Sequence, residues 1–167
     1  NANDLPQTER VGDSQVFDVQ LIAPNPIWYD PTSTTKTMTP GASPWSDTIT
    51  YTGSCWEYPV VKIYGQVSNF TMTVTTSFGV ILFSTPSIAA ADVWTFDCRA
   101  GYKTIKNLAG SGQLNNVNAS TLNALYNFKL APTNFVSSGI HTFDGTYTAK
   151  DGSHKVEIIY YNRYWGI

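Results

Sequence analysis

Short stretches in which apolar and polar residues alternate are the feature that most limits how this chain can fold. Ile49 and Tyr51 alternate with threonines, and Phe70, Met72 and Val74 do the same. Because successive side chains of a β-strand point to opposite faces of a sheet, this period of two predicts half-buried strands. Similar stretches follow at short spacing, separated by turn residues: VVKIYG, GVILF, DVWTFDC, GYKTI, GIHTF, GTYTA and KVEIIYY. The sequence therefore predicts an antiparallel β-sandwich or barrel of about eight to ten strands.

One segment has the spacing of a helix instead. Leu122 and Leu125 lie three residues apart in NASTLNALYNF (118–128), and Ser120 is the predicted N-cap. The helix would have about two turns and would cover one end of the sandwich. The predicted fold is therefore all-β, with at most one short helix.

The 167 residues suffice for one domain that buries roughly 70% of the surface of its unfolded chain. Residues 1–14 are polar and lack periodicity, which predicts a linker or a docked arm, and residues 15–167 are predicted to form the sandwich domain. Residues 24–47 are rich in proline and are predicted to be a long surface loop. The predicted core comprises Phe17, Val19, Leu21, Ile63, Met72, Val74, Phe96, Ile158 and Tyr160.

The charge pattern argues against two classes of partner. The formal net charge is −2, and the ten lysines and arginines are scattered singly. This pattern provides no basic surface for nucleic acid or for an anionic membrane. No apolar run approaches the ~20 residues of a membrane-spanning helix. We therefore predict that the chain binds neither nucleic acid nor membranes.

The residues that could carry catalysis do not form a local constellation. Asp92 and Asp97 lie five residues apart, so their carboxylates would point to opposite faces of a strand, although a pair built from separate strands stays open. The segment DGSHK (151–155) holds the residue types of a nucleophilic triad, but its Asp-Gly start is typical of a turn. We predict that the protein is not an enzyme.

The cysteines and histidines lack the spacing of a local metal site. Cys55, Cys98, His141 and His154 are farther apart than the ligands of a zinc clip, although a site built across strands stays open. We predict no metal and no cofactor. Cys98 shares the apolar face of DVWTFDC, which favours a buried free thiol, with a Cys55–Cys98 disulfide as the alternative.

Aromatic residues are the remaining candidates for binding. They make up 14% of the chain, and three tryptophans lie in segments rich in proline or turn residues: Trp28, Trp45 and Trp56. Such rings can stack on sugars or anchor a protein partner, and the alternative is that they fill the core or pack under loops. We predict these three tryptophans as the site for a glycan or a partner protein.

The chain ends in YYNRYWGI (160–167), another aromatic-rich stretch. In a strand, Tyr160 and Asn162 would share one side, and Tyr161, Arg163 and Trp165 would share the other. This segment is predicted to be a terminal strand paired inside a sheet. One row of its side chains would be buried, and Arg163 would cover the row on the other side. Its first role would be structural.

Four stretches, in this order, resemble the C-terminal domain of siphophage-type distal tail proteins, the phage minor tail or tail-component family. They are FDVQLIAPNPIWYD (17–30), ITYTGSCWEYPVVKIYG (49–65), AADVWTFDCRAGYKTI (90–105) and VEIIYYNRYW (156–165). The chain departs from the family pattern at Asn25 and Cys98, where the family usually has aspartate and threonine, and at LAPTN (130–134), which replaces a turn that usually contains glycine. The departures concern local loop geometry rather than the fold.

The resemblance implies a galectin-like or jelly-roll sandwich in a phage tail tip, assembled in the host cytoplasm and carried in the virion. It further implies an N-terminal domain, absent from this sequence, that forms a hexameric ring and from which residues 1–14 would lead. The expected role is a structural adaptor that projects from the hub and supports host attachment or receptor-binding proteins. The isolated domain would be a monomer and the full-length protein a homohexamer. The alternative is a carbohydrate-binding module for host-surface glycans.

Overall fold

Strands dominate the structure, a computed structural model that describes residues 27–76, 79–134 and 137–165. In these ranges the chain forms twelve strands and one α-helix, so the predicted all-β fold with at most one short helix is confirmed. A short 3-10 helix (Leu114–Asn116) precedes the α-helix. The strands are β1 (Ile27–Tyr29), β2 (Thr34–Met38), β3 (Trp45–Tyr51), β4 (Val60–Tyr64), β5 (Val67–Thr76), β6 (Gly79–Ile88), β7 (Val93–Asp97), β8 (Thr104–Lys106), β9 (Gly139–Thr146), β10 (Ala149–Lys150), β11 (Val156–Tyr160) and β12 (Arg163–Trp165), and the helix is α1 (Ala119–Asn127).

The strands pair into two five-stranded antiparallel sheets and one two-stranded ribbon. Sheet A has the order β6-β5-β9-β3, and β10 pairs with the beginning of β5. Sheet B has the order β2-β11-β4-β7-β8. The ribbon pairs β1 with β12, with Trp28 opposite Tyr164 and Tyr29 opposite Arg163. The predicted antiparallel sandwich is confirmed.

Four phenylalanines link the two sheets through the core. Phe83 of sheet A meets Phe96 of sheet B with ring centroids 5.7 Å apart and planes at 85°. Phe83 also contacts Phe128, which in turn contacts Phe143, at 5.4 and 6.2 Å. All four side chains are fully buried. Edge-to-face contacts of this kind stabilise a core beyond the burial of area alone.

The predicted core positions that the structure describes are buried. Their exposed fraction is 6% at Tyr160 and 0% at the others, so the prediction is confirmed for Ile63, Met72, Val74, Phe96, Ile158 and Tyr160. The other three predicted positions, the predicted arm 1–14 and the first predicted strand lie outside the described residues.

Both cysteines are free and buried, so the free-thiol interpretation is confirmed and the disulfide alternative is wrong. Cys98 lies just after β7, beyond the inward-facing Trp94 and Phe96. Burial raises the pKa of its thiol to about 12. A thiol held in its protonated form is a small apolar side chain rather than a nucleophile.

The predicted surface loop 24–47 is wrong over much of its described part. It contains β1, β2 and the beginning of β3. β2 pairs along its whole length with β11, from Met38 opposite Val156 to Thr34 opposite Tyr160. The three prolines of this interval that the structure describes, Pro31, Pro40 and Pro44, lie between the strands. A residue without a backbone N–H can end a ladder without interrupting it.

The predicted helix is confirmed, but its predicted cap is wrong. α1 begins at Ala119, and the side chain of Asn118, not Ser120, accepts a hydrogen bond of 2.9 Å from the backbone N–H of Thr121. Asparagine caps a helix as well as serine does, so the helix begins earlier than the serine suggested.

Helix α1 also covers the outer edge of sheet A. The hydroxyl of Thr121 accepts from the Ser84 backbone N–H at 2.7 Å and donates to the Ser84 carbonyl at 2.9 Å. One side chain therefore satisfies both outward-facing backbone groups of this β6 residue. An edge strand protected in this way is less able to pair with another chain.

Thr121→Val is expected to lower the free energy of unfolding by about 1–3 kcal/mol, because it keeps the shape but leaves both Ser84 backbone groups unpaired under the helix. Urea denaturation measures the loss. The matched control is Ser120→Ala on the exposed side of α1, which should change stability by less than about 0.5 kcal/mol. Equal effects of the two substitutions would contradict the role of the Thr121 hydroxyl.

Candidate functional site

A surface cleft of about 400 Å³ lies where the β1–β12 ribbon meets the loop before β4 and the end of β7. We call it the tyrosine–arginine cleft. In the part of the chain that the structure describes, its walls include Tyr29, Glu57, Tyr58, Arg99, Tyr161 and Arg163. These residues come from distant parts of the sequence, so the cleft exists only in the folded chain.

Backbone contacts hold Arg163 in place at the cleft. Its N–H donates to the hydroxyl of Tyr51 at 3.1 Å, and its carbonyl accepts from the Cys55 N–H at 3.0 Å. The Tyr51 hydroxyl donates in turn to the Cys55 carbonyl at 2.7 Å. Burial raises the pKa of Tyr51 well above its usual range, so this phenol remains a hydrogen-bond donor.

The Arg163 side chain forms a largely buried ion pair with Glu57. Its Nη1 lies 3.3 Å from Glu57 Oε2 and donates to the Trp56 carbonyl at 3.2 Å, while its guanidinium lies 4.9 Å from the Tyr29 ring centroid. Both side chains are at least 85% buried. Burial raises the pKa of Glu57 above its usual range, and the Arg163 charge opposes that shift.

Arg99 forms a second ion pair at the cleft, with Asp97 at the end of β7. Its Nε and Nη2 donate to the two carboxylate oxygens at 2.9 and 2.6 Å. Burial acts to raise the pKa of Asp97, but hydrogen bonds and charge from Arg99 outweigh it and lower that pKa. Both cleft arginines therefore have a carboxylate partner from the same chain.

Three tyrosines supply the aromatic surface of the cleft. Tyr29 and Tyr161 meet edge to face, with centroids 6.4 Å apart and planes at 85°. The Nζ of Lys103 lies 4.4 Å from the Tyr58 ring centroid, and it also binds the carbonyls of Leu125 and Tyr126 at the end of α1. Lys103 thus links the cleft wall to the helix C-terminus, where a positive charge is favourable.

The three tryptophans predicted as a binding site are not brought together. Trp28 is 70% exposed and lies on the face of the ribbon opposite Arg163. Trp56 is 44% exposed and packs edge to face against Trp165. Trp45 is half-buried and stacks on Phe70 in sheet A. Glycan binding by these tryptophans stays a prediction.

Sequence reasoning missed the tyrosine–arginine cleft. The segment 160–165 was predicted to be one strand, but β11 ends at Tyr160 and β12 begins at Arg163. Asn162 fixes the turn between them. Its side-chain NH2 group donates to the Asp30 carboxylate at 2.8 Å, and its backbone carbonyl accepts from the Asp30 backbone N–H at 3.1 Å. Arg163 therefore enters a separate ribbon. The sequence did contain one indication of this cleft, because aromatic residues lie within two positions of both Glu57 and Arg163.

The carboxylates considered for catalysis each serve a different local structure. Asp92 accepts from the backbone N–H groups of Val93 and Leu108, at 2.8 and 3.0 Å. The Asp151 carboxylate accepts from the N–H and hydroxyl of Ser153, which confirms the predicted turn. In the described ranges, no group of three or more histidine, cysteine, aspartate or glutamate side chains is placed to hold a metal ion.

The two histidines are buried and contact backbone groups. His141 Nε2 lies 3.1 Å from the Ala131 nitrogen and 3.0 Å from its oxygen. His154 Nδ1 lies 2.6 Å from the Tyr64 carbonyl, and its ring contacts Phe70. Burial lowers the pKa of both imidazoles below the usual value.

Lowering the pH from about 7 to about 5 is expected to lower the free energy of unfolding by up to about 1.4 kcal/mol per histidine per pH unit. In the unfolded chain both imidazoles bind a proton near pH ~6.5, whereas in the folded chain their pKa is lower. The unfolded chain therefore binds more protons as the pH falls, and stability is lost. Urea denaturation across this range measures the slope. A folded His141→Gln variant should lose less stability than wild type over this range, and equal slopes in the two proteins would contradict the prediction.

Two curved antiparallel sheets around an aromatic core, with one short helix, place this chain among the all-β sandwich proteins. Its fold is similar to the crystal structure of phage SPP1 Dit (gp 19.1), described as a paradigm of the hub adsorption apparatus in phages that infect Gram-positive bacteria. The TM-score is 0.50 and the sequence identity 14%, over 84% of this chain and 49% of that one. This chain therefore spans about half the length of SPP1 Dit, and the similarity is one of fold.

No protein-family model and no curated protein sequence matches the chain. No helix in the described ranges is both long and apolar enough to cross a membrane.

Proposed function

We propose that this chain is a structural and adaptor domain of a phage tail tip, of the distal tail protein kind. It projects from the tail hub and supports host attachment or receptor-binding proteins. The observation that carries the proposal is the similarity in fold to a phage hub adsorption protein over 84% of the chain. The four ordered sequence stretches that resemble distal tail proteins support it independently. The role is non-enzymatic.

The proposal includes a division of labour between domains. The sandwich is a monomer when isolated, and a preceding domain forms the hexameric ring of the full-length protein, which is assembled in the host cytoplasm and carried at the tail tip. The protected edge of β6 supports a monomer, because Thr121 already binds both outward-facing groups of Ser84.

Electron microscopy of intact tails, labelled with an antibody raised against this domain, tests the location. Label is expected at the tail tip, while a control antibody against the tail tube should label the shaft. Label along the shaft, or absence of the chain from purified virions, would overturn the proposal. Sedimentation equilibrium of the isolated domain tests the division of labour, and a stable hexamer would contradict it.

A second proposed function is recognition of a host-surface glycan by Trp28, Trp45 and Trp56. The exposure of Trp28 and Trp56 supports it, since an exposed ring can stack on a sugar. A host glycan array probed with wild type, Trp28→Ala and Trp56→Ala tests this function. Binding that is weakened by either substitution supports it, and an array without signal refutes it while leaving the adaptor role intact.

A further inference from the structure

We propose that the tyrosine–arginine cleft is a binding site for a neutral saccharide. This inference rests on glycan recognition as a function of the domain, and it proposes a different site for that function. It concerns Tyr29, Tyr161 and Arg99 rather than the three tryptophans.

The charges at the cleft select against a strongly ionic ligand. Arg163 is paired with Glu57 at 3.3 Å and Arg99 with Asp97 at 2.6 Å, so the two pairs sum to no net charge. The ammonium of Lys103, at the cleft wall, already donates to backbone carbonyls of α1. An anion that approached either guanidinium would also be close to a carboxylate, and a cation that approached either carboxylate would also be close to a guanidinium. Neither ion would gain much Coulomb energy on binding.

Hydrogen-bonding capacity remains after the charges are paired. A guanidinium has five N–H donors, and the Asp97 carboxylate takes two of those of Arg99, whose side chain is 46% exposed. Tyrosine hydroxyls can both donate and accept. A ligand with several neighbouring hydroxyl groups and no charge matches this combination.

The aromatic surface and the size of the cleft fit a sugar ring. Tyr29 is 48% exposed and stands perpendicular to Tyr161, so the two rings form a corner against which the C–H face of a sugar can pack. The volume of about 400 Å³ lies in the lower part of the range for small-molecule sites.

Nuclear magnetic resonance titration of the ¹⁵N-labelled domain with matched sugar pairs tests the proposal. The pairs are glucose with glucuronate, galactose with galacturonate, and N-acetylglucosamine with N-acetylmuramic acid. At least one neutral sugar should cause saturable shifts at the amides of Tyr58, Ala100 and Arg163. Its acidic counterpart should bind more weakly. Tighter binding of the acidic sugars, shifts elsewhere, or no saturable shift with any pair would overturn the proposal.

Substitutions distinguish this site from the tryptophans. Tyr161→Ala should raise the Kd at least about fivefold, by analogy with rings stacked on bases. Tyr126→Ala, which removes an exposed tyrosine of α1, should leave the Kd unchanged. Ala100→Trp provides a second test and should weaken binding. Ala100 is exposed, and a large ring there would fill the cleft without removing an internal contact. If Trp28→Ala or Trp56→Ala weakens binding and Ala100→Trp does not, the cleft is wrong and the tryptophan site stands.

Discussion

Arg163→Met is expected to lower the free energy of unfolding by about 3–5 kcal/mol, the usual result of leaving one partner of a buried ion pair without its counterion. The substitution keeps an unbranched side chain of similar length but leaves Glu57, which is 6% exposed, beside an apolar group. The Trp56 carbonyl also loses a donor, and Tyr29 loses the guanidinium over its ring. Urea denaturation of wild type and variant measures the loss.

Two further variants separate the ion pair from general disruption of the ribbon. Combining Arg163→Met with Glu57→Gln should recover part of the loss, because the second change removes the unpaired charge. Lys36→Met breaks the more exposed pair with Asp47, 2.8 Å apart, and should cost no more than about 1 kcal/mol. A loss below about 1 kcal/mol in Arg163→Met would show that the pair does not hold the ribbon in place.

The strands that the sequence predicted best are those with one buried and one exposed face. In β5, the buried Phe70, Met72 and Val74 alternate with less buried threonines, so the pattern reports the pleat directly. In β2, the sequence TTKTM has a single buried residue, Met38. β2 pairs with β11 through backbone groups. Such a ladder cannot be predicted from the periodicity of the side chains.

The candidate cleft could not be predicted because its geometry depends on register. Tyr29 and Arg163 are neighbours only because β1 and β12 pair antiparallel at that position. Glu57 reaches Arg163 because its backbone N–H and carbonyl both bind Leu130, at 2.8 Å each, which fixes the loop before β4. The sequence shows which residue types are present, but only the tertiary structure brings these residues into contact.

Phe96→Ala is expected to lower the free energy of unfolding by about 3–5 kcal/mol, because a fully buried ring is replaced by a cavity that close-packed neighbours fill only in part. Phe96 is the fourth of the five residues of β7, opposite Val61 on one side and Ile105 on the other. Neither neighbouring strand can move into the space without breaking its own ladder. The matched control, Tyr126→Ala at an exposed aromatic position, should change stability by less than about 0.5 kcal/mol.

The shape of the Phe96→Ala unfolding curve carries a second expectation. Phe96 belongs to sheet B and contacts Phe83 of sheet A at 5.7 Å, so the core links both sheets into one unit. The variant should therefore unfold at a lower urea concentration in a single transition, with the same midpoint by circular dichroism and by tryptophan fluorescence. Separate midpoints would show that the sheets unfold independently and that the phenylalanine contacts do not couple them. A urea midpoint close to that of wild type would contradict the assignment of Phe96 to the core.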